Sequence, residues 1–103
     1  MLSLEEKRSI FLSFPGVFEK KVSGNRYGYY LENGTKTGRQ IARELTESGN
    51  GYVPAGQLAQ YQSKADDRGM VSIKHHNEDE LRLIISDIIK FFSPDNLKKK
   101  NVD

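Results

Sequence analysis

The sequence MVSIKHHNEDELRLIISDIIKFF, residues 70–92, decides the fold class because its periodicity changes from that of a strand to that of a helix. Apolar side chains alternate with polar ones in residues 70–75, which predicts a strand with one buried face. Asn77, with Glu80 three residues later, then matches a capping box in front of a helix. The segment therefore predicts a strand followed by an amphipathic helix that Pro94 ends. The apolar stripe of this helix consists of Leu81, Ile84, Ile85, Ile88, Ile89 and Phe92.

The N-terminal part of the chain predicts a helix followed by a hairpin. Residues 2–14 have apolar side chains at roughly helical spacing after a capping box formed by Ser3 and Glu6. Residues 17–22 and 26–31 then have the composition of two strands. The Ser-Gly-Asn sequence between them tolerates positive φ, as a hairpin turn requires.

The middle of the chain predicts a central helix. Thr37, with Gln40 three residues later, matches another capping box at the start of residues 37–49. A short strand is predicted at residues 52–58, followed by a polar connection at residues 59–69. The predicted order is α-β-β-α-β-β-α, an α+β fold in which helices pack on an antiparallel sheet. The apolar stripe of the central helix consists of Ile41, Ala42 and Leu45.

Length and composition predict one domain. A chain of 103 residues forms a single core, assigned here to residues 1–95, with residues 96–103 as a basic flexible tail. Cysteine is absent, the first residues are acidic rather than basic, and no apolar run has the roughly 20 residues that span a bilayer. These features predict a cytoplasmic protein with no membrane contact.

Basic residues are concentrated in residues 20–43, which carry six basic side chains and one acidic side chain, a net charge of +5 in a chain of net charge +2. Residues 34–39 place hydroxyls and cations at the start of the predicted central helix, where free N–H groups favour an anion. The alternative is an ordinary capped turn with solvated charges. The residues predicted to bind nucleic acid or another anion are Lys20, Lys21, Arg26, Lys36, Thr37, Arg39 and Arg43.

Three tyrosines lie within the basic segment. Tyr27 and Tyr29 would share one face of a strand, and Tyr30 would lie on the other. Aromatic rings among cations suit a single-stranded nucleic acid, because bases stack on rings while cations contact the phosphates. The alternative is that the tyrosines pack in the core, since half-buried strands favour aromatic residues.

Three landmarks follow one another along the chain: residues 11–19 (FLSFPGVFE), residues 51–56 (GYVPAG) and residues 70–85, which begin with MVSI and end with ELRLII. In this order they resemble the MmcQ/YjbR-like family, a group of small bacterial α+β domains with a double-wing arrangement. The resemblance implies the fold class, and DNA binding has been suggested for some members. It implies little chemistry, and the residues themselves predict no cofactor.

No catalytic or metal site is predicted. The chain lacks a nucleophile elbow, and the adjacent His75 and His76 would point to opposite faces of a strand. Two function classes stay open. The first is a binding domain for nucleic acid or another phosphate-bearing ligand. The second is a protein-interaction or self-associating domain, favoured by residues 66–87, whose net charge of −3 would let copies pair through opposite charges.

Overall fold

The computed structural model describes residues 2–92, which form two helices and a five-stranded antiparallel sheet. The strands lie side by side in chain order. The predicted α+β class is confirmed, while the predicted tail at residues 96–103 lies outside the described residues. The elements are α1 (Leu4–Leu12), β1 (Val17–Val22), β2 (Arg26–Leu31), β3 (Arg39–Leu45), β4 (Tyr52–Val53), β5 (Val71–Ser72) and α2 (Glu78–Phe92), with two short 3-10 helices (Ala55–Gln57 and Ala59–Lys64) between β4 and β5.

Both predicted capping boxes at the outer helices are present. The Glu6 amide donates to Ser3 Oγ at 3.1 Å, and the Ser3 amide donates to Glu6 Oε1 at 2.8 Å. At α2, the Glu80 amide donates to Asn77 Oδ1 at 2.8 Å, and the Asn77 amide donates to Glu80 Oε1 at 2.9 Å. These bonds satisfy amides that a helix start leaves without partners, so both starts follow from local sequence. Four residues of the predicted stripe of α2 are buried, namely Leu81, Ile84, Ile85 and Ile88, while Ile89 and Phe92 are partly buried.

The β1–β2 hairpin defines the two faces of the sheet. Glu19 lies opposite Tyr29, and Phe18 lies opposite Tyr30. Because side chains alternate along a strand, these two pairs lie on opposite faces. Tyr29 stacks on Phe11 of α1 with ring centroids 4.3 Å apart, so its side is the closed face, the one that the helices cover. The opposite side is the open face, which carries Phe18, Lys20, Val22, Arg26, Gly28, Tyr30 and Gln40.

The predicted central helix at residues 37–49 is wrong, because β3 occupies this part of the chain. Two register shifts between β2 and β3 explain the error. One extra residue in β3 leaves both Ile41 and Ala42 buried beside Tyr29, and a second extra residue places Leu45 in the core. Buried side chains in this bulged strand therefore recur at spacings that imitate a helix. The element order is α-β-β-β-β-β-α.

The last two strands are shorter than predicted. The expected strand at residues 52–58 ends at Val53, because the following Pro54 has no N–H to continue a ladder. The chain then turns, and the Gly56 amide donates to the Gly69 carbonyl at 3.0 Å. A Cβ at Gly56 would lie 2.7 Å from that carbonyl oxygen, so only glycine allows this approach.

Lys7 of α1 is completely buried on the closed side of the sheet. Its Nζ donates to the carbonyls of Gly49 at 2.7 Å, Ile73 at 3.1 Å and Lys74 at 3.1 Å. Burial, together with the charge of Lys74, lowers the pKa of Lys7. The three ammonium hydrogens are all used, so this lysine joins α1 to two loops and is not available to a ligand.

Candidate functional site

The open face carries an aromatic platform, formed by Phe18, Lys20, Tyr30 and Gln40. The rings of Phe18 and Tyr30 are stacked, with centroids 5.6 Å apart and an interplanar angle of 24°. Lys20 Nζ lies 4.7 Å from the Tyr30 centroid and 5.7 Å from the Phe18 centroid, in cation–π contact. Gln40 Nε2 donates to the Tyr30 hydroxyl at 3.2 Å. Both rings lie outside the hydrophobic core and are partly exposed.

Two glycines allow the platform rings to lie against the backbone. A Cβ at Gly28 would be 3.2 Å from the Tyr30 ring, so the ring occupies the space that a side chain would fill. A Cβ at Gly38 would be 3.1 Å from the Phe18 ring, and Gly38 has a positive φ of 69°. The two rings therefore pack closely against the backbone of β2 and of the loop before β3.

The structure divides the predicted basic residues of the strands between the two faces. Lys20 and Arg26 lie on the open face, where Arg26 Nε donates to the Ser23 carbonyl at 3.0 Å. Lys21 is opposite Tyr27 on the closed face, with Nζ 5.9 Å from the Tyr27 centroid. The charges in this segment of the sequence therefore do not form one continuous surface along the strands.

The remaining predicted residues lie in or after the loop that joins β2 to β3. Lys36 and Thr37 are exposed in this loop, just before Gly38, which lies against Phe18 of the platform. Arg39 lies opposite Leu31 on the closed face, with Cζ over the ring of Phe92 of α2 at 4.1 Å from the centroid. Arg43 Nε lies 3.3 Å from Glu44 Oε2.

The loop before β3 does not have the anion-binding geometry expected at a helix start. The Thr35 hydroxyl donates to Asn33 Oδ1 at 2.6 Å and accepts from the Gly38 amide at 3.0 Å. These contacts organise the loop from within and use the hydroxyl of Thr35. Since a strand follows instead of a helix, the expected row of first-turn amides is not formed. Anion binding by Lys36 and Thr37 stays a prediction.

A second polar cluster lies on the closed face and is satisfied internally. Arg8 donates from Nε to Glu19 Oε2 and from NH2 to Glu19 Oε1, both at 2.9 Å. The Tyr29 hydroxyl donates to Glu19 Oε2 at 2.6 Å. The bonds from Arg8 hold the pKa of Glu19 below its usual value, and burial, with the hydrogen bond to Glu19, raises the pKa of Tyr29. This cluster joins α1 to the hairpin.

Residues 2–92 offer little evidence for a metal site or for a ligand site between the two helices. No three acidic or histidine side chains of this part of the chain come close enough to hold a metal ion. A groove of about 330 Å³ between α1 and α2 is bordered by Glu5, Glu6, Glu78 and Arg82, and Arg82 is already paired with Glu78 at 2.8 Å. Neither helix of the described chain is long and apolar enough to cross a membrane.

Sequence reasoning missed Phe18 and Gln40, although one signal was present. Counting outward from the Ser-Gly-Asn turn pairs Val22 with Arg26 and hence Phe18 with Tyr30. Gln40 could not be found in this way, because its placement depends on the bulges in β3.

Comparisons with protein families, characterised proteins and solved structures found no match to this chain. They therefore do not test the resemblance to the MmcQ/YjbR-like family, which stays a prediction. Inference about function depends on the geometry of the site.

Proposed function

We propose that the protein is a cytoplasmic binding protein for single-stranded nucleic acid and that the ligand lies on the aromatic platform. The observation that carries the proposal is the stacked pair Phe18 and Tyr30, which lies outside the core with Lys20 above it. Bases stack on exposed aromatic rings without regard to sequence, because every base has a π face. A platform of this kind favours single strands over duplexes, whose bases are already stacked.

Lys20 has a specific role in this proposal. In the free protein its ammonium group occupies the space above the Tyr30 ring. A base that stacks there displaces the ammonium group, and the flexible lysine side chain then contacts a phosphate. Arg26 and Lys36 provide further charge at the ends of the open face. The slope of log Kd against log salt should be about 0.7 for each phosphate contacted. Because the open face has few cations, the total salt dependence should be weak.

The proposal is tested by fluorescence anisotropy with a labelled ten-nucleotide deoxythymidine strand and a duplex at low and physiological salt. Tyr30→Ala should weaken single-strand binding by at least about fivefold, because stacking on one ring contributes roughly 1–3 kcal/mol. Tyr30→Phe is the matched control, since it keeps the ring and removes only the bond from Gln40.

The cationic part is tested in the same assay. Lys20→Ala should lower affinity and reduce the salt slope by about 0.7, while Lys64→Ala, an exposed cation in the second 3-10 helix, should change neither. Absence of single-strand binding at low salt, or equal binding by wild type and Tyr30→Ala, would overturn the proposal.

The competing function is self-association, in which the open face of one copy meets another. The edge strand β1 carries Glu19, Lys20 and Lys21, whose charges disfavour pairing of sheet edges, so self-association would use the open face instead. Sedimentation velocity distinguishes the two functions. A dimer that Tyr30→Ala dissociates, without any binding of nucleic acid, would favour self-association.

A further inference from the structure

A groove opens beside β3, where the sheet is incomplete. β3 pairs with β4 at Arg43 opposite Tyr52, and Pro54 then turns the chain away. A space of about 340 Å³ lies beside the unpaired part of β3. Two arginines border the space together with a glutamine, a proline and a methionine, so the groove combines positive charge with an apolar wall. Its lining residues are Arg39, Gln40, Arg43, Pro54 and Met70.

Arg39 is held in a way that leaves its hydrogen-bond donors available. Its guanidinium group is in cation–π contact with Phe92, with Cζ over the ring at 4.1 Å from the centroid. A cation–π contact does not use the N–H donors in hydrogen bonds. Within residues 2–92, Arg39 forms no ion pair with a carboxylate.

Arg43 is only loosely paired. Its Nε lies 3.3 Å from Glu44 Oε2, and Arg68 NH1 approaches the same oxygen at 3.8 Å. That oxygen is buried and accepts no hydrogen bond within the described chain, so neither contact has hydrogen-bond geometry. Arg43 therefore keeps donors for another anion, although Glu44 offsets part of its charge.

Gln40 connects the groove to the aromatic platform. Arg39 and Gln40 lie on opposite faces of β3, opposite Leu31 and Tyr30, and both line the groove at the unpaired edge of the strand. Gln40 Nε2 donates to the Tyr30 hydroxyl at 3.2 Å. We propose that the groove binds a phosphomonoester, the terminal phosphate of a nucleotide strand whose base stacks on Tyr30. Arg39 and Arg43 donate to the phosphate oxygens, and Met70 and Pro54 contact the adjoining sugar. Pairs of arginine donors suit a terminal phosphate, because it carries more charge and more free oxygens than an internal phosphodiester.

The connection to a base rests on the proposed function, whereas phosphate binding by the groove does not. The first experiment therefore uses inorganic phosphate alone, followed by amide chemical shifts at constant ionic strength with chloride as the control. Phosphate should shift the amides of residues 39–43 in wild type, and Arg39→Gln should abolish the response. Arg26→Gln, which removes a cation of the open face, should leave it intact. A response that is absent, or equal to that of chloride, would overturn the proposal that the groove binds phosphate.

The second experiment compares five-nucleotide deoxythymidine strands with a 5′-phosphate, a 3′-phosphate or no terminal phosphate. One of the two phosphorylated strands should bind wild type about tenfold more tightly than the unphosphorylated strand, as expected for two charge-assisted contacts. Arg39→Gln and Arg43→Gln should remove this gain and leave the affinity for the unphosphorylated strand unchanged. Arg39→Lys keeps the charge without the planar donors and should recover only part of the gain.

The outcomes separate the two proposals. If the strand binds without any gain in affinity from a terminal phosphate, phosphate binding by the groove is overturned and strand binding by the aromatic platform is supported. If inorganic phosphate shifts residues 39–43 but the strand does not bind, phosphate binding by the groove is supported and strand binding by the aromatic platform is overturned.

Discussion

Tyr29 and Tyr30 are neighbours in β2, yet they belong to two different environments. Tyr29 stacks on Phe11 and is completely buried, and its hydroxyl donates to Glu19 at 2.6 Å. Tyr30 stacks on Phe18 outside the core and stays partly exposed. The strand alternation that sends one ring inward sends the next ring outward.

The comparison shows why similar residue types serve structure on one face and are available for binding on the other. On the closed face, the cation Arg8 is fixed by a bidentate pair with Glu19, and Lys7 is fixed by three carbonyls. On the open face, Lys20 lies over two rings and forms no ion pair within residues 2–92. A charge without a fixed partner can exchange its contact for a ligand at little cost.

The largest difference should come from removing each tyrosine ring. Tyr29→Ala should lower the free energy of unfolding by about 3–5 kcal/mol, because it leaves a cavity beside Phe11. Tyr30→Ala should cost less than half as much, since water already reaches that ring. Urea denaturation of the two variants measures both losses. Equal midpoints would mean that the two rings contribute equally to stability, contrary to the difference in burial between the faces.

The helix that covers the closed face provides the next comparison. Ile88 is 1% exposed and Leu83 is 60% exposed, although both are in α2. Ile88→Ala should cost about 2–5 kcal/mol of unfolding free energy, whereas Leu83→Ala should lie within about 0.5 kcal/mol of wild type. Chemical denaturation checks the pair. A large loss in Leu83→Ala would show that α2 has another covered side.

Lys7 of the closed side and Lys20 of the open face provide a third comparison. Lys7→Met should cost about 2–3 kcal/mol, because the carbonyls of Gly49, Ile73 and Lys74 lose their donor while part of the cost of burying a charge is relieved. Lys20→Met should be nearly neutral. Thermal and urea unfolding measure the two variants, and a neutral Lys7→Met would show that water replaces the ammonium group.

The smallest expected effect is a pH dependence at the edge of the closed side. Burial lowers the pKa of His76 below 6.5, opposed by Glu80 and aided by Lys64 and Lys7. The folded state therefore favours the neutral imidazole, and this stabilisation is present above pH 6.5 and is lost as the pH falls toward the lowered value.

Replacement of His76 provides the control. Wild type should lose more stability than His76→Gln between pH 7.5 and 5.5, as measured by urea denaturation. The range stays above the region where the carboxylates titrate. Parallel pH profiles for the two proteins would contradict the assignment.

Local sequence predicted the elements whose signals are complete within a few residues. The capping boxes at Ser3 and Asn77 identify the two helix starts, and the turn after Val22 identifies the hairpin. Local signals failed at residues 37–49, where Thr37 and Gln40 imitate a capping box. β3 forms there because bulges bring Ile41 and Ala42 beside β2, and no short window contains that pairing.

The candidate site was predicted only in part for the same reason. Sequence alone determined that cations and tyrosines are concentrated in residues 20–43 and that Tyr29 and Tyr30 point to opposite faces. Tertiary structure decided which face the helices cover and how the basic residues are distributed between the two faces. It also decided that Phe18 joins Tyr30 and that a groove opens after Pro54. The physical reason is that charge and alternation are properties of neighbouring residues, whereas burial and strand pairing depend on segments far apart in the chain.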